Sequence, residues 1–384
     1  MTEPLEVVRP RYGEASLAEV LPSALAVLGV PGERDALGLR AALDGVRRIA
    51  VLLIDGLGWH QLGLAAAQAP TLTDIIGGRL GSARVLTSGF PSTTPTSLVT
   101  LGTGVAPGAH GIVGFTLNVP GTEQVLNHLK WGDEPDPRRW QPLPTVFDRA
   151  EAAGVATTVV SHAEFEAGGL SRSAYRGARY IGAAAVDPLA EEMTAALSTS
   201  RLVYGYHADL DRAGHESGVG SQPWLQAAAE IERLLRLLIG RLPADAALIV
   251  TADHGQIDIP YEFRVDLDAD PRLREGLAVV AGEPRVRYLH TIPGARDDVI
   301  AAWRGVLGDG AWVMPREEAV AAGWFGPVPE EHLARVGDVV VVCQDRWAIM
   351  ATRTEPARSS ELIAYHGAAT AAEMRIPLLL VPAV

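Results

Sequence analysis

The chain has 384 residues, of which 33 are Lys or Arg and 46 are Asp or Glu, for a formal charge of −13. So acidic a balance argues against binding long nucleic acid through its phosphates, which takes a basic face, but leaves open a small phosphate ester whose charge a bound cation offsets. With 48 % hydrophobic and 21 % charged residues the chain is globular, and its length suits two or three average domains or one large α/β domain with an insertion.

Residues 17–27 and 36–46 are Ala/Leu-rich and predict amphipathic helices packed outside the main sheet, with no chemistry in them. Residues 48–54, RIAVLLI, form a continuous apolar run followed by Asp55-Gly56-Leu57-Gly58. That is the pattern of a strand buried on both faces with an acid at its C-terminal edge. Ligands of open α/β sheets bind at that edge, although a lone acid there more commonly caps a helix, here the one starting at Trp59. Helical and loop segments are expected from there to residues 88–115, SGFPSTTPTSLVTLGTGVAPGAHGIVGF. Here Pro95 favours extended geometry at Thr94 and suits the first turn of the helix TSLVTLG. Thr94 is therefore expected at the N-cap, beside N–H groups that attract negative charge.

Residues 116–143, rich in Pro, Trp and Gly, predict irregular loops over the active face. Next come helix 145–153, strand 155–160, helix 188–197, strand 201–206, a long helix opened by Ser221 and Pro223 and reaching Ile239, and strand 246–250. From 258 to 361 charge rises and apolar runs shorten, with strand-like pieces at 279–280 and 286–289; residues 378–381 predict a last buried strand. The alternation gives the expected fold class: α/β, a mostly parallel central sheet with helices on both faces, plus a smaller inserted cap. The core is expected from 1–257 and 362–384, and the cap or lid from 258–361. Cys343 is the only cysteine, which leaves no intrachain disulfide and no cysteine zinc site. No stretch is long and apolar enough to span a membrane, and the first residues lack a signal-peptide pattern, so the expected location is cytoplasmic.

Donors recur where strands end or in the loops that follow: Asp55, Thr94, Asp211 with His215, Asp253 with His254, and His366. Asp211 and His215 are four apart and share one face of a helical turn, whereas Asp209 is six from His215 and off that face. Three aspartates, three histidines and a hydroxyl suffice for two divalent metal ions with mixed oxygen and nitrogen ligands, as two-metal hydrolytic sites need. The donors suit zinc, and manganese or iron are compatible. His110 reads as structural. His162 is either a loop residue or faces substrate, and His207 either supports the metal residues or does nothing there. His60, His128, His290 and His332 read as ordinary core or surface histidines.

In this order, VLLIDGLGW, FPSTTPTSLVTLGTGVAPGAHGI, DRAGHESG, TADHG and YHG resemble the alkaline phosphatase superfamily, and within it the nucleotide pyrophosphatase/phosphodiesterase family. In that family a threonine lies nine residues before the threonine of a Thr-Gly pair that precedes Pro-x-x-His-Gly-Ile. Thr94 stands nine before Thr103, followed by Gly104, Pro107, His110, Gly111 and Ile112, which selects Thr94 over Thr93 as nucleophile. The resemblance implies one metal on Asp211, His215 and His366, and another on Asp55, Asp253 and His254 with Thr94 bound to it. It also implies a phosphothreonine intermediate that water cleaves. One position departs from the family: Phe115 replaces an asparagine that helps hold the phosphoryl oxygen, and Asn118, Asn127 or Lys130 are the candidate substitutes. No arginine is placed like the one that selects monoesters, which leans towards diesters.

The expected activity is metal-dependent hydrolysis of phosphodiester or pyrophosphate bonds in small molecules such as nucleotide derivatives. The expected partner is a small-molecule phosphate ester, not a nucleic-acid polymer or a membrane. Rivals on the same site are phosphomonoester, phosphonate or sulfate-ester hydrolysis and mutase chemistry. A non-catalytic metal-binding domain is the rival of another class.

Overall fold

The computed structural model describes residues 4–382. Its centre is a seven-stranded sheet of β1 (Arg48–Ile54), β2 (Ser82–Thr87), β3 (Thr157–Ser161), β4 (Arg179–Gly182), β5 (Leu202–His207), β6 (Ala246–Thr251) and β7 (Arg375–Val381). The strand order is β2-β7-β6-β1-β5-β3-β4. β5 and β6 are buried throughout and β1 in all but Arg48, because each is apolar on successive residues and lies between helical layers. One group of helices packs around Gln222–Ile239, and another around Thr94–Thr103. The α/β fold with a mostly parallel, helix-covered sheet is therefore as expected.

Register decides where the chemistry collects. Ile54 pairs with His207 and Leu53 with Thr251, so Asp55, the turn after β5 and residues 252–254 leave the sheet along one edge. Only β7 runs the other way, antiparallel to both β2 and β6. His366 thus reaches the same edge from the segment before β7, directly after the two-residue strand Ala364–Tyr365, which pairs with Ile257–Asp258 outside the main sheet.

Several local expectations change. Residues 82–87, expected as helix or loop, are the edge strand β2, whose first four residues are not buried and whose polar residues hide its period. β4 is a second unanticipated edge strand, with no buried residue. Helix 17–27 begins as the 3-10 turn Leu17–Glu19, closed by a capping box between Ser16 and Glu19, and only Leu39–Ala42 of 36–46 is helical. Residues 116–143 hold a hairpin of Thr116–Asn118 with Val125–Asn127 and a helical turn, Pro137–Trp140.

Within 258–361 lies a four-stranded antiparallel sheet, ordered Leu277–Glu283, Val286–Thr291, Val339–Cys343, Ala311–Pro315. Val340 and Val342 join the main core, while Val339 and Val341 pack with Val299 and Trp303 of helix Arg296–Leu307. Among the described residues no helix is long and apolar enough to cross a membrane.

Candidate active site

The loop after β2 leads into α1 (Thr94–Thr103), with Pro95 in its first turn. The N-cap is Thr93, not Thr94: Thr93 is extended, and its carbonyl accepts from Ser97 N–H at 2.9 Å. Thr94 is then the first helical residue and is half-exposed, whereas 95–103 are buried. Its hydroxyl lies 3.1 Å from His254 Nε2, turned away from its own helix.

Around it the structure gathers every metal donor named from the sequence. His254 Nε2 is 3.5 Å from an Asp55 oxygen and 3.2 Å from one of Asp253. α2 (Asp209–Ser217) carries Asp211 and His215 on one face, 3.3 Å apart, and His215 Nε2 is 3.2 Å from His366 Nε2. Donor atoms of Asp55, Asp253 and His254 lie within 4.8 Å of one another, as do those of Asp211, His254 and His366. His254 belongs to both groups because its ring stacks on His366 at 3.6 Å.

The histidines are aimed by carbonyls. Nδ1 of His215 faces Ala364 O at 2.7 Å, that of His366 faces Ser92 O at 2.8 Å, and that of His254 faces Gly255 O at 3.2 Å. A carbonyl only accepts, so the proton sits on Nδ1 and the Nε2 lone pair points into the cluster, which is the tautomer a metal needs. Asp55 Oδ1 and Asp253 Oδ2 are buried without a hydrogen-bond partner among the described residues. Orphaned carboxylate oxygens beside imidazoles whose Nε2 atoms face the cluster are a donor set that fits divalent cations.

Charge on the protein alone is unbalanced. Burial, then the like charges of Asp253 and Asp211, raise the Asp55 carboxyl well above its ordinary range. Burial and Asp211 push Asp253 up to about 7. Burial and His215 push His254 down to about 3. Burial also disfavours ionised Asp211 and His215, but each favours the charged form of the other, leaving Asp211 lowered and His215 raised.

A cavity of about 240 Å³ opens beside Thr94, Asp55 and Asp211. Leu129, Trp131, Phe165, Leu170 and Tyr175 wall it, Arg212 stands at its edge, and none of its lining residues comes from 258–361. The wall nearest Thr94 is thus built by residues of the 116–143 region and the 161–175 segment. A larger hollow of about 530 Å³ among Tyr12, Pro22, Arg34 and Arg149 holds none of these donors.

The candidate phosphoryl binders are not brought to the cluster. Asn118 donates to Thr122 O and Gln124 O within its own hairpin, and Asn127 accepts from Leu129 and Lys130 N–H as a cap. Lys130 is exposed, and neither it nor Phe115 lines the cavity. His110 is structural: Ile112 N–H donates to its Nδ1 at 3.1 Å, so Nε2–H faces Thr100 Oγ1 at 3.0 Å. His128 lines the cavity but is occupied by Phe115 O and Trp140 Nε1, and burial pushes it down to about 4. His162 stacks on Phe165 at 4.7 Å, and His207 is buried at the end of β5.

The sequence did not point to the groups that hold the donors. Tyr206 donates to Asp55, Gln256 to Asp211, and the Ser88 and Ser97 hydroxyls to Asp253 O. Tyr206 and Gln256 flank the legible motifs, one residue before His207 and two after His254, and that adjacency was the available signal. Ser88, Ser92 and Ser97 act through backbone carbonyls distant in sequence, which no local pattern reveals.

A helix-covered parallel sheet whose ligand edge gathers three aspartates, three histidines and a threonine is the architecture of the alkaline phosphatase superfamily. The chain belongs to the type I phosphodiesterase / nucleotide pyrophosphatase family, which it matches over residues 49–369, and so to hydrolases acting on phosphate esters. No curated protein sequence matches it. Its fold is similar to murine ectonucleotide pyrophosphatase / phosphodiesterase 5, with a TM-score of 0.69 and 22 % identity over 86 % of this chain and 87 % of that one. An inactive variant of the murine protein, solved in complex with AMP, aligns equally well, at 21 % identity over the same shares with a TM-score of 0.69. Phosphonoacetate hydrolase from Sinorhizobium meliloti 1021, solved with phosphonoacetate, aligns with a TM-score of 0.67 and 19 % identity over 89 % of this chain and 92 % of that one.

Proposed function

We propose that the chain is a two-metal hydrolase of phosphodiester or pyrophosphate bonds in small molecules, with Thr94 as nucleophile. The observation that carries this is the Thr94 hydroxyl, 3.1 Å from His254 Nε2, beside buried Asp55 and Asp253 oxygens that have no hydrogen-bond partner among the described residues. Asp55, Asp253 and His254 would hold one cation together with Thr94, and Asp211, His215 and His366 the other; zinc suits the set, with manganese or iron compatible. Bound there, the cations supply charge that favours the ionised Thr94 hydroxyl and offsets the leaving oxygen.

The remaining steps belong to the chain's own residues. Thr94 Oγ1 forms a bond to phosphorus as the bond to the leaving oxygen breaks, and water then cleaves the Thr94 ester and releases the second product. Thr94 stands at the start of α1, where the helix dipole favours the phosphoryl oxygens. Leu129, Trp131 and Phe165 give the ester group an apolar, flat-sided recess whose lining also includes Glu164 and Arg212, the latter paired with Asp209. That suits a single aromatic group, such as a base or aryl ester, next to one phosphate. The same reading takes 1–257 and 362–384 as catalytic core and 258–361 as an insertion.

The test is metal content and turnover on the purified chain. Two divalent ions per chain and a higher kcat/KM for bis-p-nitrophenyl phosphate than for p-nitrophenyl phosphate are expected. Full activity in excess EDTA would refute the metal reading, and a clear monoester preference would refute the diester reading.

A further inference from the structure

The strands Leu277–Glu283 and Val286–Thr291 meet in a tight turn at Pro284-Arg285, because Glu283 pairs with Val286. The tip of this hairpin does not face solvent. Arg285 and Glu373 are both fully buried, and the guanidinium spans the carboxylate with Nε to Oε1 at 2.9 Å and Nη2 to Oε2 at 2.7 Å. Its Nη1 donates to Trp347 O.

From Glu373 the bonds run to the site. Its carboxylate also accepts from Ala368 N–H at 3.0 Å and Thr370 Oγ1 at 2.6 Å, and its carbonyl accepts from Gly255 N–H, next to His254, at 2.9 Å. The loop so held is tied to the nucleophile loop at Ser92, whose hydroxyl donates to Ala368 O at 2.8 Å and whose N–H donates to Gly367 O at 3.0 Å. Ser92 O in turn faces His366 Nδ1. At Gly367, where φ is +131°, a Cβ would stand 3.0 Å from Glu283 Cγ and 3.3 Å from Arg285 Cβ. The hairpin tip therefore closes directly on the residue after His366 and leaves no room for a side chain.

We propose that Arg285 is a positioning residue that sets His366 and the Thr94 loop through Glu373. A buried ion pair is a poor device for stability alone, since apolar side chains of similar volume do as well, so a geometric role accounts better for its place. The two-point fork fixes the carboxylate in direction as well as distance, which an ammonium cannot do. Arg287, two residues on in strand Val286–Thr291 and equally buried, is the internal comparison. It bonds Ile349 O and Glu355 and no residue of the 366–373 loop.

The proposal rests on the hydrolase reading of Thr94 and His366, so zinc retention against a competing chelator is measured beside turnover of bis-p-nitrophenyl phosphate and Tm. Arg285→Lys should lower kcat and the retention of zinc by about tenfold or more, with KM within about threefold. Arg287→Lys should lower Tm comparably yet keep kcat and zinc within about twofold. Glu373→Gln should match Arg285→Lys, and it carries the test if the lysine variant does not fold. Wild-type kcat and zinc retention in folded Arg285→Lys or Glu373→Gln protein would overturn the proposal. A wild-type chain that holds zinc but hydrolyses no ester would overturn the hydrolase reading instead, and the clamp would then stand or fall on zinc retention.

Discussion

Thr93 and Thr94 are neighbours with different environments. Thr93 is buried, its carbonyl starts α1, and its hydroxyl lies near the Glu283 carboxyl. Thr94 faces the donors and the cavity. Thr94→Ala removes the attacking oxygen and leaves six metal donors, so activity should fall roughly a thousandfold or more with metal content nearly unchanged. Thr93→Ala should cost about tenfold or less, through positioning alone, and Thr94→Ser should keep part of the activity. Loss of turnover in Thr93→Ala with retention in Thr94→Ala would move the nucleophile by one residue. The donors were legible because each sits in a short polar motif at the end of an apolar run. The Asn118 amide is used within its hairpin and the Asn127 oxygen caps the turn that follows, and sequence does not show which polar side chain a turn consumes.

Among elements, β1, β5 and β6 were visible as unbroken apolar runs. β2 and β4 were not, because an edge strand needs to bury little and its residues alternate weakly. The direction of β7 was equally hidden, since Arg375–Val381 reads as a buried strand whichever way it runs. The segment Gly169–Ala174 and the turn before it shape the cavity: Phe165 is 40 % exposed and reaches the lining from a short turn that bears little of the core. Phe165→Ala should therefore raise KM for bis-p-nitrophenyl phosphate about three- to tenfold, with kcat within about twofold and Tm unchanged. Steady-state kinetics with a melting curve decide it; an unchanged KM would remove Phe165 from the substrate recess.

For the molecule as a whole, pH acts through groups the fold has taken out of water. Burial pushes the Glu283 carboxyl up to about 8, opposed by Thr93 and Arg287. An unfolded glutamate titrates near about 4.3, so between these values the folded chain keeps a proton that the unfolded chain has lost. The stability this group contributes is complete below the lower value, shrinks as pH rises, and is gone above the upper one. Glu283→Gln should abolish that slope: its Tm should match wild type near about pH 5 and exceed it by about 5 °C near about pH 8.5. Parallel Tm–pH curves for the two proteins would show that the carboxyl is not held neutral. Sheet order has a consequence of another kind. Within the sheet β2 pairs only with β7, which lies far later in the sequence. During synthesis, the loop bearing Thr94 leaves the ribosome long before the strand that anchors it, and closing so long a span is slow. His366 and Glu373 arrive with that same late strand. A chain made only as far as β6 carries Thr94 and most of the candidate donors but no place for them to meet, so on the function proposed above hydrolysis waits on β7.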